Sequence, residues 1–322
     1  MFQLSRRDVM VSAGLAAALG MTQRLAIIDP AFAQTTPDPA TGFKKYKVGS
    51  VEVTALYDGI WEKPHDPAFI TNASVDDVKG AMTAAGLPPD FVSIPLTVVA
   101  LSIGGKTVLC DSGSGGQWQP TAGKLPANLK AAGIDPASVS TILISHFHPD
   151  HIYGLMAKDT NAPMFPNAEI VVNAGEYKWW TEAGRVEKLP EARKKLGQRI
   201  NDVFPTWKNI RQVEGEVEVA PGVRIVAAPG HTAGHVAFHL ASGKDQMMIS
   251  NDTAYVPALN AAHPGWHGAY DQDKPLAEAS RRRVLDRVIA DKMMICGAHF
   301  PFPGAATIAK DGDGYAIQPM KA

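Results

Sequence analysis

Cysteine is scarce in this chain of 322 residues. Cys110 and Cys296 are the only two, which excludes a disulfide-dense scaffold and any C-x-x-C zinc or redox motif. An excess of one charge is missing too. Lys and Arg number 31 against 32 Asp and Glu, a formal net charge of −1. A nucleic-acid-binding surface ordinarily shows a basic excess, so nucleic acid is not an expected partner. No apolar run reaches the roughly 20 residues needed to cross ~30 Å of hydrocarbon. No G-x-S-x-G elbow is present to carry a serine nucleophile. Gly104-Gly105-Lys106-Thr107 has Ala100 where a phosphate loop needs its first glycine. What remains is ordinary globular composition, 45% hydrophobic and 20% charged. The 29 glycines and 24 prolines point to many turns between short elements.

Residues 1–33 read as an address rather than as fold. Arg6 and Arg7 precede an apolar stretch over residues 9–21, and Ala31-Phe32-Ala33 puts small residues where a signal peptidase reads. Paired arginines point to the twin-arginine export route. The expectation is a periplasmic or secreted protein with no stable membrane insertion once the signal is cleaved. Residues 34–45 read as a flexible lead-in, and residues 46–322 as the folded domain. Each cysteine ends an apolar run, Thr107-Val108-Leu109-Cys110 and Met293-Met294-Ile295-Cys296, which reads as two reduced core thiols.

Strand and helix signals alternate along the domain. Residues 96–103 and 106–110 form a hairpin pattern around Gly104-Gly105, and 235–240 with 246–249 form another. Short strands are expected over 139–144, 168–173, 223–228 and 292–296. Helices are expected over 121–132, 188–203 and 275–290. Arg281-Arg282-Arg283 reads as a solvated helix face. This order is mixed α/β.

One cluster dominates the chemistry: His146-Phe147-His148-Pro149-Asp150-His151. Three imidazoles and a carboxylate so close are costly as buried structure and well suited as ligands for divalent transition metals. His146 and His148 share a face if the chain stays extended beyond its strand. His231, Asp252 and His299 each follow a further apolar strand, and loops at strand ends are where α/β proteins build sites. His235 and His239 read as buried structural histidines, and His263 and His267 as loop residues.

The order of His146, His148, Asp150, His151, then His231 within Gly230-His231-Thr232-Ala233-Gly234-His235, then Asp252 and His299, resembles the metallo-β-lactamase superfamily. Asp111-Ser112-Gly113, Ala127-Asn128-Leu129-Lys130-Ala131-Ala132-Gly133 and Ala298-His299-Phe300-Pro301-Phe302-Pro303-Gly304 resemble the branch that includes methyl parathion hydrolase and exported lactonases. The resemblance runs from about residue 46 to the end. It implies an αββα sandwich of two mixed β-sheets flanked by helices. It implies His146, His148 and His231 on one divalent metal, Asp150, His151 and His299 on a second, and Asp252 bridging both. Zn2+ is the first expectation for the ions, with Mn2+, Co2+ or Fe2+ as alternatives. Asp252 and Asp150 are then the catalytic carboxylates, around a metal-bridging hydroxide that attacks lactones, esters or phosphotriesters. Asp111 would orient a ligand imidazole. Trp118, Trp180 and Phe302 would line a pocket for a small-molecule substrate. Cys110 and Cys296 would lie in different sheets, ~10 Å apart and too distant to pair. Relatives are often dimers, which makes a homodimer one expectation. Asn251 stands where relatives usually carry Gly. Two other functions stay open: a true β-lactamase, against which the carboxylate of Asp252 argues, and a non-hydrolytic iron-binding member.

Overall fold

The computed structural model describes residues 40–321; the expected export signal over residues 1–33 lies outside them. Fourteen strands build two mixed sheets of seven. The first sheet runs in chain order: β1 (Phe43–Val48), β2 (Val51–Pro64), β3 (Phe91–Ile103), β4 (Lys106–Cys110), β5 (Val139–Leu143), β6 (Glu169–Asn173) and β7 (Ile210–Val213). The second holds β8 (Glu218–Ala220), β9 (Val223–Ala227), β10 (Val236–Ser242), β11 (Asp245–Ile249), β12 (Met294–Cys296), β13 (Ala305–Asp311) and β14 (Gly314–Pro319). Residues 43–45, read as lead-in, already pair with β2.

The sheets pack face to face through alternating apolar side chains, among them Val53, Leu101, Val108, Leu143, Phe238 and Met247. Each such side chain contributes roughly 1.5–3 kcal/mol on burial. Cys110 and Cys296 sit in this layer from opposite sheets, buried and unpaired. The outer face of the first sheet is covered by Leu129, Phe147, Trp180 and Ile200. That of the second is covered by Val284, Leu285 and Val288 of the helix Lys274–Ala290. Asp273 caps this helix by accepting from Leu276 N.

Two helices are shorter than their apolar pattern predicts. Over 121–132 only Leu125–Ala131 is helical: Gly123 is left-handed at φ +100°, and Asp58 holds the chain there through Gly123 N, Lys124 N and Leu125 N. Over 188–203 the helix divides at Pro190 into Arg185–Lys188 and Glu191–Val203.

The parallel pairings β4–β5 and β11–β12 align the C-terminal ends of their strands. β9 runs the same way as β11, since both are antiparallel to β10. The loops after β4, β5, β9, β11 and β12 therefore gather at one edge of the sandwich. No helix among the described residues is long and apolar enough to cross a membrane.

Candidate metal centre

His146 and His148 lie just beyond β5. Asp150 and His151 follow on the one-turn helix Pro149–Ile152, started by Pro149. His231 follows β9, Asp252 follows β11 and His299 follows β12. Seven side chains from two sheets thus meet in two adjoining groups, His146, His148, His231 and Asp252, and Asp150, His151 and His299. His148 Nδ1 lies 2.9 Å from His146 Nε2 and 3.0 Å from His231 Nε2. Asp252 reaches both groups: its oxygens are 3.3 Å from His231 Nε2 and 3.2 Å from the Nε2 atoms of His151 and His299.

Three outward hydrogen bonds fix the imidazoles. His299 Nδ1–H donates to the Pro95 carbonyl at 2.8 Å. His151 Nδ1 faces Asp111 Oδ2 at 2.7 Å, and His231 Nδ1 faces Asp271 Oδ1 at 2.8 Å. Each acceptor keeps the proton on Nδ1, so the Nε2 lone pair points inward. Asp111 is itself held by the amide and hydroxyl of Ser145.

The donors fit divalent cations. The buried atoms His151 Nε2 and Asp252 Oδ1 have no hydrogen-bond partner, although they are only 3.2 Å apart. Close approach without hydrogen-bond alignment is what atoms sharing an ion show, and an orphaned buried polar atom is otherwise costly. The electrostatics agree. Burial opposes charge on His231, yet Asp252 and Asp271 outweigh it and raise its pKa to about 9. Burial likewise opposes charge on His151 and His299, and the carboxylates around them again prevail. By contrast, burial and neighbouring imidazoles hold His146 and His148 well below the usual range. The carboxylates therefore call for positive charge at this point, and imidazole with carboxylate suits a divalent transition metal.

The supporting shell is built from residues distant in sequence. Glu176, placed by the helix Ala174–Thr181 whose cap is Asn173, is 1% exposed. One of its oxygens accepts from Phe147 N and Trp180 Nε1, the other from Thr232 Oγ1 and Gly234 N. It thereby ties the loop of His146 and His148 to the loop of His231. Gly234 is required there because a Cβ would lie 2.2 Å from Glu176 N. In Glu176→Gln an amide NH2 must face two donors. That substitution is expected to cost about 1–3 kcal/mol and to lower the melting temperature by roughly 2–10 °C, read by thermal unfolding. His235, buried and pushed down to about 3 by that burial and by His231, accepts from Asp252 N at 3.2 Å. Asn251, the departure from glycine, adopts φ +45°, a left-handed conformation that asparagine tolerates better than most residues. Its Nδ2 donates to the Val236 carbonyl.

Asp271 and Arg281 were not legible from motif or spacing. Arg281, expected on a solvated face, is 1% exposed. It donates to Asp271 Oδ2 at 3.1 Å and to the carbonyls of Thr253 and Pro264, each at 2.8 Å. Only Arg282 and Arg283 of that triplet reach the surface.

A cavity of about 910 Å3 opens beside the cluster, bordered by His148, Asp150, His231, Asp252 and His299. Trp118 lines it, edge-on to Trp61 at 5.0 Å. Two aromatic expectations require correction. Trp180 is fully buried behind the site, because Glu176 takes its indole N–H. Phe302 packs edge-on against Tyr57 at 5.8 Å and does not border the cavity. Trp61, Tyr255, Tyr270 and Arg193 line it instead. None belongs to a motif, although Tyr255 follows Asp252 by three positions. The Tyr255 hydroxyl is buried and without a partner. His263 stacks on Trp266 at 4.1 Å and His267 pairs with Glu278, both away from the cavity.

Known proteins resemble this chain in sequence and share its fold. An N-acyl homoserine lactonase of Bacillus sp is 27% identical over 172 residues, covering 53% of this chain and 60% of that protein; the chain thus spans less than two thirds of the curated relatives it matches. The fold is shared with AidC, a dizinc quorum-quenching lactonase (TM-score 0.82, 24% identity, 87% of this chain and 98% of that one). It is also shared with the hydrolase AbOPH (TM-score 0.77, 24% identity, the same coverage). The family model of the metallo-beta-lactamase superfamily matches residues 91–299. With two mixed sheets and a histidine–aspartate cluster at their common edge, the chain belongs to the metallo-beta-lactamase superfamily.

Proposed function

We propose that the protein is a dinuclear metal-dependent hydrolase of lactones and related esters, with N-acyl homoserine lactones foremost and phosphotriesters as further substrates. The observation that carries this reading is Asp252, in contact with imidazoles of both groups beside a cavity walled by aromatic rings. His146, His148 and His231 would hold one ion and Asp150, His151 and His299 the other, with Asp252 placed to serve both, and zinc is the metal proposed. Two divalent cations bound there would supply a water of lowered pKa and Lewis-acid polarisation of an ester oxygen.

The chain's own groups do the rest. Trp61 and Trp118 provide apolar surface for an acyl chain. Asp150 borders the cavity and is the carboxylate available to carry a proton to the leaving oxygen. Tyr255 lines the cavity, while its hydroxyl is enclosed beside Gly268 and burial raises its pKa.

The deciding experiment is a kinetic panel of acyl-homoserine lactones, aryl esters and methyl paraoxon on zinc-reconstituted protein. Failure to turn over any of them sinks the reading, and hydrolysis of nitrocefin alone makes the protein a β-lactamase. Export by the twin-arginine route and a periplasmic or secreted location belong to the same proposal, on the strength of Arg6, Arg7 and Ala31-Phe32-Ala33.

A further inference from the structure

The cavity wall contains a cation with no anion. Arg193, on the helix Glu191–Val203, is half-buried and borders the cavity together with His148 and Tyr270. Among the described residues its one side-chain hydrogen bond is a long one, from Nη2 to the Tyr270 carbonyl at 3.5 Å. None of the ion pairs formed within 4.0 Å among the described residues includes it. Burial holds its pKa below the ordinary arginine value. Arg199 on the same helix shows the contrast. Its Nε, Nη1 and Nη2 donate to Asn161, Gln117 and Ala157, and its guanidinium lies over the Tyr153 ring at 4.9 Å. Arg199 is structural, whereas Arg193 has donors to spare.

A partly desolvated guanidinium with one long hydrogen bond and its other donors unmet costs free energy that a ligand can return. The aromatic surface continues directly from it, since the Tyr270 ring lies 5.9 Å from that of Trp61. A molecule seated on those rings would pass within reach of the free N–H groups.

We infer that Arg193 is a specificity determinant, a subsite for a second oxygen acceptor that the substrate carries beyond its scissile ester, either an amide carbonyl or a carboxylate. This rests on the hydrolase reading for its catalytic meaning, though not for the binding itself. The guanidinium presents a planar fork to one or two oxygens. A substrate lacking such an oxygen leaves the fork unpaired, and that penalty discriminates against it.

The test is calorimetric titration of the metal-loaded protein with N-butylhexanamide and with octanoate, comparing wild type, Arg193→Met and Arg193→Lys. In Arg193→Met the dissociation constant is expected to rise about tenfold or more for at least one probe, with Arg193→Lys recovering part of the loss. A loss confined to the amide identifies a carbonyl as the natural acceptor, and one confined to octanoate a carboxylate. Equal binding by all three proteins, or no binding by the wild type, overturns the inference. A kinetic arm pairs an N-hexanoyl-substituted γ-butyrolactone with an alkyl-substituted one of equal chain length. The wild-type preference for the first, as a ratio of kcat/KM, is expected to fall about tenfold in Arg193→Met. If the wild type turns over neither lactone, the lactonase part of the proposed function fails, while the titrations still decide the role of Arg193.

Discussion

Asp252→Ala is expected to release at least one of the two ions and to lower kcat/KM by roughly 10³-fold or more. Metal analysis after dialysis and turnover of whichever ester the panel identifies would measure both. The argument is electrostatic. Asp252 is held well below the usual carboxylate range: burial opposes ionisation, but the imidazoles of His299, His151 and His231 outweigh it. Among the described residues it is the one carboxylate that approaches both ligand groups. Its loss removes a negative charge from between two dications, and their mutual repulsion then rises in a poorly solvated site. Metal assistance is worth several kcal/mol, and each 1.36 kcal/mol is a factor of ten in rate. Retention of two ions at wild-type activity would remove Asp252 from the centre.

Arg281→Met comes second in size. The fold is expected to lose about 3–5 kcal/mol, the usual result of stripping one partner from a buried ion pair, and metal retention to weaken about 10- to 100-fold. The reason is geometric. One guanidinium holds Asp271, which orients His231, and also the Thr253 carbonyl, one residue beyond Asp252. Removing it frees two ligands that belong to different loops. Chemical denaturation and competition with a chelator read the two effects separately. Arg281→Lys keeps the charge and can reach Asp271, but it cannot serve three acceptors, so it is expected to fall between. Wild-type affinity for metal in Arg281→Met would reduce Arg281 to a packing residue.

The contrast between Asp252 and Arg281 shows what a sequence can disclose. Metal ligands concentrate chemically unusual residues at short spacing after apolar strands, so His146 to His151 stand out without any structure. The supporting shell follows no such rule. Asp271 reaches His231 across 40 positions, and Arg281 lies in a triplet whose other members are solvated, so helix periodicity alone gave the wrong environment. Trp180 shows the opposite error. An aromatic residue near a site motif looks the same whether it faces substrate or core, and its burial is decided by Glu176 four residues earlier. Helix limits failed where a side chain from another strand intervened, as Asp58 does before Leu125.

The candidate ligands are divided between the two sheets: four follow β5, and the other three follow β9, β11 and β12. Cations bound there would rivet the halves of the sandwich across their open edge. Any ion that binds the folded chain and ignores the unfolded one adds stability in proportion to the logarithm of its free concentration. The supply of metal in the compartment where the protein works would then govern how long it stays folded, as well as how fast it turns over.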